Sequence, residues 1–289
     1  MKKLLSILMC ACMLPLALTG CSNDGAGTGS GLSSQASSAA SSQGNEALSG
    51  TIKLSGSTSM EKLAKALGED FTAKNGGVTV DVQLGGSSAA ITNVGDGVSD
   101  IGNLSRDLKE KEKAMGFNEY KVALDGIGVI VNPNNKVEDL TLDQIAKVFT
   151  GEITNWSEVG GDDAEIVVVG REAGSGTRDG FESIVGVGEK CKYRQELNET
   201  GQVQNAVAST PGAIGYVSTD YINETVKALK VEGVSPSGDT IKDGSYKLQR
   251  NFIMITKGEE KAQVKAFLDY ILSDEGQAVV EQVGCFSVK

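Results

Sequence analysis

From residue 51 onward the chain alternates short β-rich runs with amphipathic stretches, and that alternation leaves few folds open. TIKLSG reads as a strand and MEKLAKALGEDF as a helix, with Leu63, Leu67 and Phe71 four apart on one face. VTVDVQLGG is a second strand, followed by the short helix SSAAITNV. VALDGIGVIVNP has the unbroken apolar run of a buried strand, and EIVVVG, GAIGYVS and NFIMIT read the same way. LTLDQIAKVFTG predicts a helix with Leu142, Ile145, Val148 and Phe149 inward. Near the end, Val264, Phe267, Leu268, Ile271 and Leu272 mark another helix, and Ser273 can cap one more. Strands alternating with helices imply an α/β protein with a largely parallel sheet covered on both faces. The 239 residues from 51 to 289 permit one large domain or two lobes with separate cores.

The front of the chain belongs to neither pattern. Lys2 and Lys3 precede an apolar stretch of signal-peptide length, and residues 1–20 read as a leader to be removed. LTGC, residues 18–21, resembles the bacterial lipobox, which makes Cys21 the expected lipid-bearing N-terminus of an exported, membrane-tethered protein. Residues 22–50 hold nine Ser, six Gly and five Ala and only two charges, too little apolar surface to offset chain entropy. Residues 21–50 therefore read as a lipidated cysteine and flexible linker, reaching on the order of 30 Å as a coil.

Charge and composition remove several function classes. Loss of Lys2 and Lys3 takes the net charge from −11 to −13, so a nucleic-acid partner held by a broad basic field is not expected, and any anion must be caught locally. The chain has no histidine, which removes Ser-His and Cys-His catalysis and His-ligated metal sites; no metal and no cofactor is expected. Past Cys21 only Cys191 and Cys285 remain, and their spacing leaves a disulfide and two free thiols equally open.

Three strand-to-helix junctions share one chemistry: SGSTSMEK at 55–62, LGGSSAAI at 84–91 and AGSGTRDGF at 173–181. Each joins glycine, which lets backbone amides approach a ligand, to Ser or Thr at a helix start, where unpaired N–H groups and the helix dipole favour an anion. A single such turn reads as capping, and Thr58 with Glu61 would make a capping box; three converging turns read as an anion trap. Arg171 precedes the third turn, and Arg106 follows another strand end in DIGNLSRDL, where a guanidinium could fork onto an oxyanion. GSGTR lacks the GK[ST] ending of a P-loop, and Gly174-Ser175-Gly176 does not supply the G-x-S-x-G of a nucleophile elbow.

In order, SGSTSMEKL, GGSSAAI, DIGNLSRDLK, ALDGIGVIVNP, LTLDQIAKVFTGEITNWSEVGG, REAGSGTRDGF, TPGAIGYVS and FLDYILSDEGQAVVEQVG resemble the phosphate-binding lipoproteins of bacterial ABC phosphate importers over nearly all of residues 51–289. The resemblance implies a type II periplasmic-binding-protein fold: two Rossmann-like α/β lobes, residues 51–125 plus 250–289 and residues 126–249, joined by two crossing strands and closing on one phosphate. It further implies an extracytoplasmic, monomeric binding protein rather than an enzyme, which hands phosphate to an ABC permease. Carried over by motif, Thr58, Ser59 and Ser87 would donate from one lobe, and Arg171, Ser175, Gly176 and Thr177 from the other. The family places an aspartate after the serine of the strand-end motif, to accept the proton of HPO4²⁻, where this chain has Ser105-Arg106. Asp125 is the expected replacement acceptor, with Arg106 as a second positive charge, although Asp125 could equally cap or pair with an arginine. Asp179 reads as an acid in a helix's first turn, and Trp156 as a core anchor. Two other readings stay open: the same fold with sulfate or molybdate, and a secreted phosphohydrolase with a Ser or Thr nucleophile.

Overall fold

The computed structural model describes residues 48–289. The leader, Cys21 and almost all of the linker lie outside the described residues.

The first half of the chain runs β1 (Gly50–Gly56), α1 (Glu61–Lys74), β2 (Val78–Leu84), α2 (Gly86–Gly95), β3 (Ile101–Leu104), a single turn α3 (Glu110–Lys113) and the long strand β4 (Phe117–Val131). The middle adds β5 (Asp139–Leu140), α4 (Leu142–Thr150), β6 (Val167–Arg171), α5 (Gly176–Val185), β7 (Gln195–Leu197), α6 (Thr200–Ser209), β8 (Ala213–Ser218), β9 (Lys227–Ala228), β10 (Lys230–Val231) and α7 (Gly238–Lys242). The chain then returns through β11 (Gln249–Lys257) to α8 (Ala262–Ile271) and α9 (Asp274–Gln282). Local signals set these boundaries, the Ser273 cap among them as the sequence predicts. Thr141 accepts from the Gln144 N–H at 3.1 Å and Gln144 answers at 2.9 Å, which starts α4, and left-handed Gly151 ends it. Ser273 accepts from the Gly276 N–H at 3.1 Å and caps α9.

The main sheet has the order β2-β1-β3-β11-β4-β8-β6-β7, with β9 also pairing β4. The outer strands of each half are parallel, β1 with β2 and β3, and β6 with β7 and β8. The expectation of a largely parallel sheet needs correcting at its centre. The pairs β3–β11, β11–β4 and β4–β8 are all antiparallel, because the chain crosses outward along β4 and returns along β11. β4 serves both halves, pairing β11 over residues 117–126 and β8 over residues 127–131.

Each half has its own core, which is what makes them lobes. Leu63, Leu67 and Phe71 of α1 pack with Ile52, Leu54, Phe252 and Phe267 in the first. Phe149, Phe181, Tyr216 and Ile214 dominate the second, where Phe181 stacks on Tyr216 at 4.2 Å between ring centroids. Trp156 is buried in that second core as the sequence suggests, its indole N–H donating to Gly212 O at 2.8 Å. Cys191 and Cys285 are free thiols; Cys285 belongs to the first core and Cys191 packs against the second. Among the described residues no helix is long and apolar enough to cross a membrane.

Candidate functional site

β1 delivers Ser57, Thr58 and Ser59 to a short 3-10 turn (Thr58–Met60) ahead of α1. Thr58 does not form the capping box that its spacing to Glu61 suggests: Ser57 holds the N-cap position of the turn, Met60 that of α1, and neither caps with its side chain. The hydroxyls of this turn are thereby left for longer-range partners. α2 begins at Gly86 and Ser87, and Ser87 Oγ accepts from the Ser105 N–H at 3.1 Å. Across the cleft Ser175 caps α5, accepting from the Arg178 N–H at 3.3 Å, with Gly176 and Thr177 in its first turn.

The three turns meet face to face. Ser59 Oγ lies 2.5 Å from Thr177 Oγ1, Ser57 Oγ donates to Ser105 Oγ at 2.8 Å, and the Ser88 N–H donates to Gly174 O at 3.1 Å. Contact is close enough that a Cβ on Gly176 would sit 2.1 Å from Ser87 Oγ and 2.6 Å from Ser105 Oγ, so any larger residue there would force those serines to move. Ser57, Thr58, Ser59, Ser87, Ser105, Ser175 and Thr177 are all buried. A cleft of about 520 Å³ opens beside them, lined by Arg106, Lys109, Lys121, Asp179 and Arg250 among others, but the hydroxyls themselves are closed over.

Arg171, at the end of β6, is only 2% exposed. Its guanidinium donates from Nε to Leu197 O at 3.1 Å, from Nη2 to Asn198 O at 2.8 Å and from Nη1 to Thr200 Oγ1 at 3.0 Å. Three of its five N–H groups are so engaged, which leaves two for a further acceptor. The other two buried arginines have carboxylate partners, Arg106 with Glu112 and Arg250 with Asp125, whereas Arg171 makes no ion pair among the described residues. Burial pushes its pKa down to about 10, so at neutral pH it remains a cation without a counter-charge. A buried unpaired charge is costly, and an anion between the lobes would relieve it.

Arg106 and Asp125 stand apart from the hydroxyls. Arg106 forks onto Glu112 at 2.7 and 3.0 Å and also meets Asp179 at 2.8 Å. Burial raises the Glu112 carboxyl, but Arg106 and the Lys109 N–H outweigh it and hold it below its ordinary value. Asp179 does lie in the first turn of α5, yet its partners are Arg106 and Lys109 across the cleft. Asp125 is fully buried; it takes Arg250 Nη2 at 2.7 Å and Nε at 2.9 Å, and the Ser218 hydroxyl at 2.6 Å. Its link to the hydroxyl group is indirect, through Arg250 Nη1, which donates to Ser105 O at 3.1 Å.

The structure adds two residues to the group, Ser57 and Thr200. Ser57 sits inside the SGSTSMEK turn already singled out. Thr200 opens α6 in LNETGQV, a fourth strand-to-helix junction carrying Thr and Gly, and its pairing with Thr58 at 3.0 Å spans 142 residues. Such a set of hydroxyls, helix starts and one unpaired guanidinium is suited to holding a small dehydrated anion.

Two α/β lobes, joined by β4 and β11 and closed over a polar cleft, define a type II periplasmic-binding-protein fold. A model of the PBP superfamily domain matches residues 41–275. The phosphate-binding protein PstS of Bacillus subtilis is 35% identical over 279 residues, covering 96% of this chain and 90% of its own. A Clostridium perfringens structure described as a phosphate ABC transporter substrate-binding protein with bound phosphate superposes with a TM-score of 0.81 at 43% identity, over 83% of this chain and 100% of that one. An ABC-type phosphate transport receptor from Vibrio cholerae gives 0.70 at 32% identity, over 81% and 99%. The chain belongs to the PBP superfamily, in the same family as the Bacillus subtilis protein.

Proposed function

We propose that this protein is an extracytoplasmic solute-binding protein that captures inorganic phosphate between its lobes and delivers it to an ABC permease, with no covalent chemistry. The observation that carries this reading is Arg171: buried, charged, without a carboxylate partner, and bonded to the Thr200 hydroxyl, which itself pairs with Thr58 of the other lobe. Relatives named as phosphate-binding proteins, similar along most of their length, support the choice of anion. The proposed contact set is Thr58, Ser59, Ser87 and Ser105 from the lobe of residues 51–125 plus 250–289, and Arg171, Ser175, Gly176 and Thr177 from the lobe of residues 126–249. Asp125 and Arg106, already engaged, act at one remove; Asp125 does so through Arg250 on Ser105. Lipidation at Cys21 would tether a monomer to the outer membrane face through the Ser/Gly linker.

The alternative anion is sulfate, favoured by one observation: no carboxylate touches the hydroxyl group directly among the described residues. A buried acceptor is what rewards a protonated oxygen over a bare one. Calorimetry of the purified protein with phosphate, then sulfate, separates the two. Phosphate should bind and sulfate should not compete, and Arg171→Met should weaken phosphate binding about 100-fold or more, the scale of two charge-assisted hydrogen bonds. Unchanged affinity in Arg171→Met would overturn the assignment.

A further inference from the structure

We infer that Thr200 is a positioning residue for Arg171: its hydroxyl fixes the guanidinium and ties that orientation to closure of the two lobes. This rests on the reading of the cleft as a phosphate site.

The argument is one of proton direction. An arginine only donates, so Thr200 Oγ1 must accept from Nη1 at 3.0 Å, and its own proton must go elsewhere. Two described side-chain acceptors are in reach, Thr58 Oγ1 at 3.0 Å and Ser59 Oγ at 3.2 Å, both on the opposing lobe. The Thr200 N–H points the same way, donating to Thr58 Oγ1 at 3.3 Å. A directed chain therefore runs from Arg171 through Thr200 into the first turn, and a cation at its head strengthens each later donor. Ser59 Oγ in turn lies 2.5 Å from Thr177 Oγ1.

Arg171's other two anchors are the carbonyls of Leu197 and Asn198, in its own lobe, and opening need not disturb them. Thr200 is the anchor that also touches the far lobe. Its hydroxyl is not occupied in capping, since α6 has Glu199 at the N-cap position and no side-chain cap bond. With the lobes apart, the Thr200 proton is free to turn and the guanidinium loses its tie to the first turn. With the lobes together, the fork is held with two N–H groups unspent for the anion.

Three proteins test this: wild type, Thr200→Val, which keeps shape and removes the hydroxyl, and Thr200→Ser, which restores it. With inorganic phosphate in calorimetry and stopped flow, Thr200→Val should bind about 10- to 100-fold more weakly, the scale of one hydrogen bond to a charged group. The loss should fall on the dissociation rate, and Thr200→Ser should stay within about threefold of wild type. A second readout uses nitrogen-15 spectra of the arginine side chains in the closed protein. The Arg171 Nη signals should be resolved and slowly exchanging in wild type and Thr200→Ser, and averaged in Thr200→Val. Equal affinity of Thr200→Val and wild type, or failure of serine to restore it, would refute the inference. Should wild type bind no phosphate at all, the functional reading falls, and the guanidinium spectra alone decide for or against Thr200.

Discussion

Asp220 carries a carboxyl group whose two oxygens are both buried and accept no well-formed hydrogen bond. The nearby Ser218 hydroxyl has one proton, and it is committed to Asp125 at 2.6 Å. Burial, and then the charge of Asp125, push the Asp220 pKa up to about 7; Ser218, Lys62 and Arg250 pull against this without cancelling it. Burial, and then the charges of Asp125 and Asp220, push the Cys285 thiol up as well. The direction of the consequence follows from proton counting. Between roughly pH 4, where an unfolded aspartate titrates, and about 7, the folded protein holds a proton that the unfolded chain gives up. Stability from this group is complete below that window and is lost as pH rises through it. Asp220→Asn removes the dependence. Urea denaturation should show the variant gaining on wild type by about 3 kcal/mol between pH 4.5 and pH 8. Parallel stability curves for the two proteins would contradict it.

At the scale of elements, the start of α5 is pressed against the start of α2, and a Cβ on Gly176 tests how much closure depends on that fit. Gly176 has an ordinary helical backbone, so alanine should suit the open protein and even favour the helix, by about 0.5–1 kcal/mol. In the closed protein the added methyl meets Ser87 and Ser105. Gly176→Ala should therefore keep or raise the melting temperature without phosphate while weakening phosphate affinity at least about 10-fold, a steric cost of a few kcal/mol. A variant that binds as wild type would show that the lobes close less tightly than described. The same contact explains what the sequence revealed and what it hid. Turn chemistry is local, so SGSTSMEK, LGGSSAAI and AGSGTRDGF could be picked out, and the fold brings their hydroxyls together. The helices of α1 and α4 were legible for the same reason, their apolar stripes being written within a dozen residues. Partners of charges are not local. Nothing near Asp125 in the chain announces Arg250, 125 residues on, and nothing in LNETGQV says that Thr200 will meet Thr58. Antiparallel pairing at the sheet's centre was hidden likewise, because β11 reads like any buried strand until its neighbours are known.

For the whole molecule, anion capture has to work against a net charge of −11 over the full chain. A long-range field would repel phosphate, so under the proposed assignment affinity comes from Arg171, oriented amides and hydroxyls within a few ångströms, where mobile ions do not screen. Phosphate affinity should change less than about threefold between 50 and 500 mM sodium chloride, measured by calorimetry, since the Debye length governs only the exposed charges. A steep salt dependence would point instead to a surface site.

The path of β11 bears on the order in which the protein can be made. It lies between β3 and β4, although those two strands are separated by only 12 residues of chain, whereas 117 residues separate the end of β4 from the start of β11. As the polypeptide emerges from its N-terminus, the first lobe has all of β1 to β4 early but a gap at its centre, while the second lobe can assemble from consecutive segments. The lobe begun first is thus completed last, and until residues 249–257 arrive it presents two unpaired strand edges. A ribosome stalled before β11 would hold a chain with one finished lobe and one open sheet, the form most exposed to aggregation.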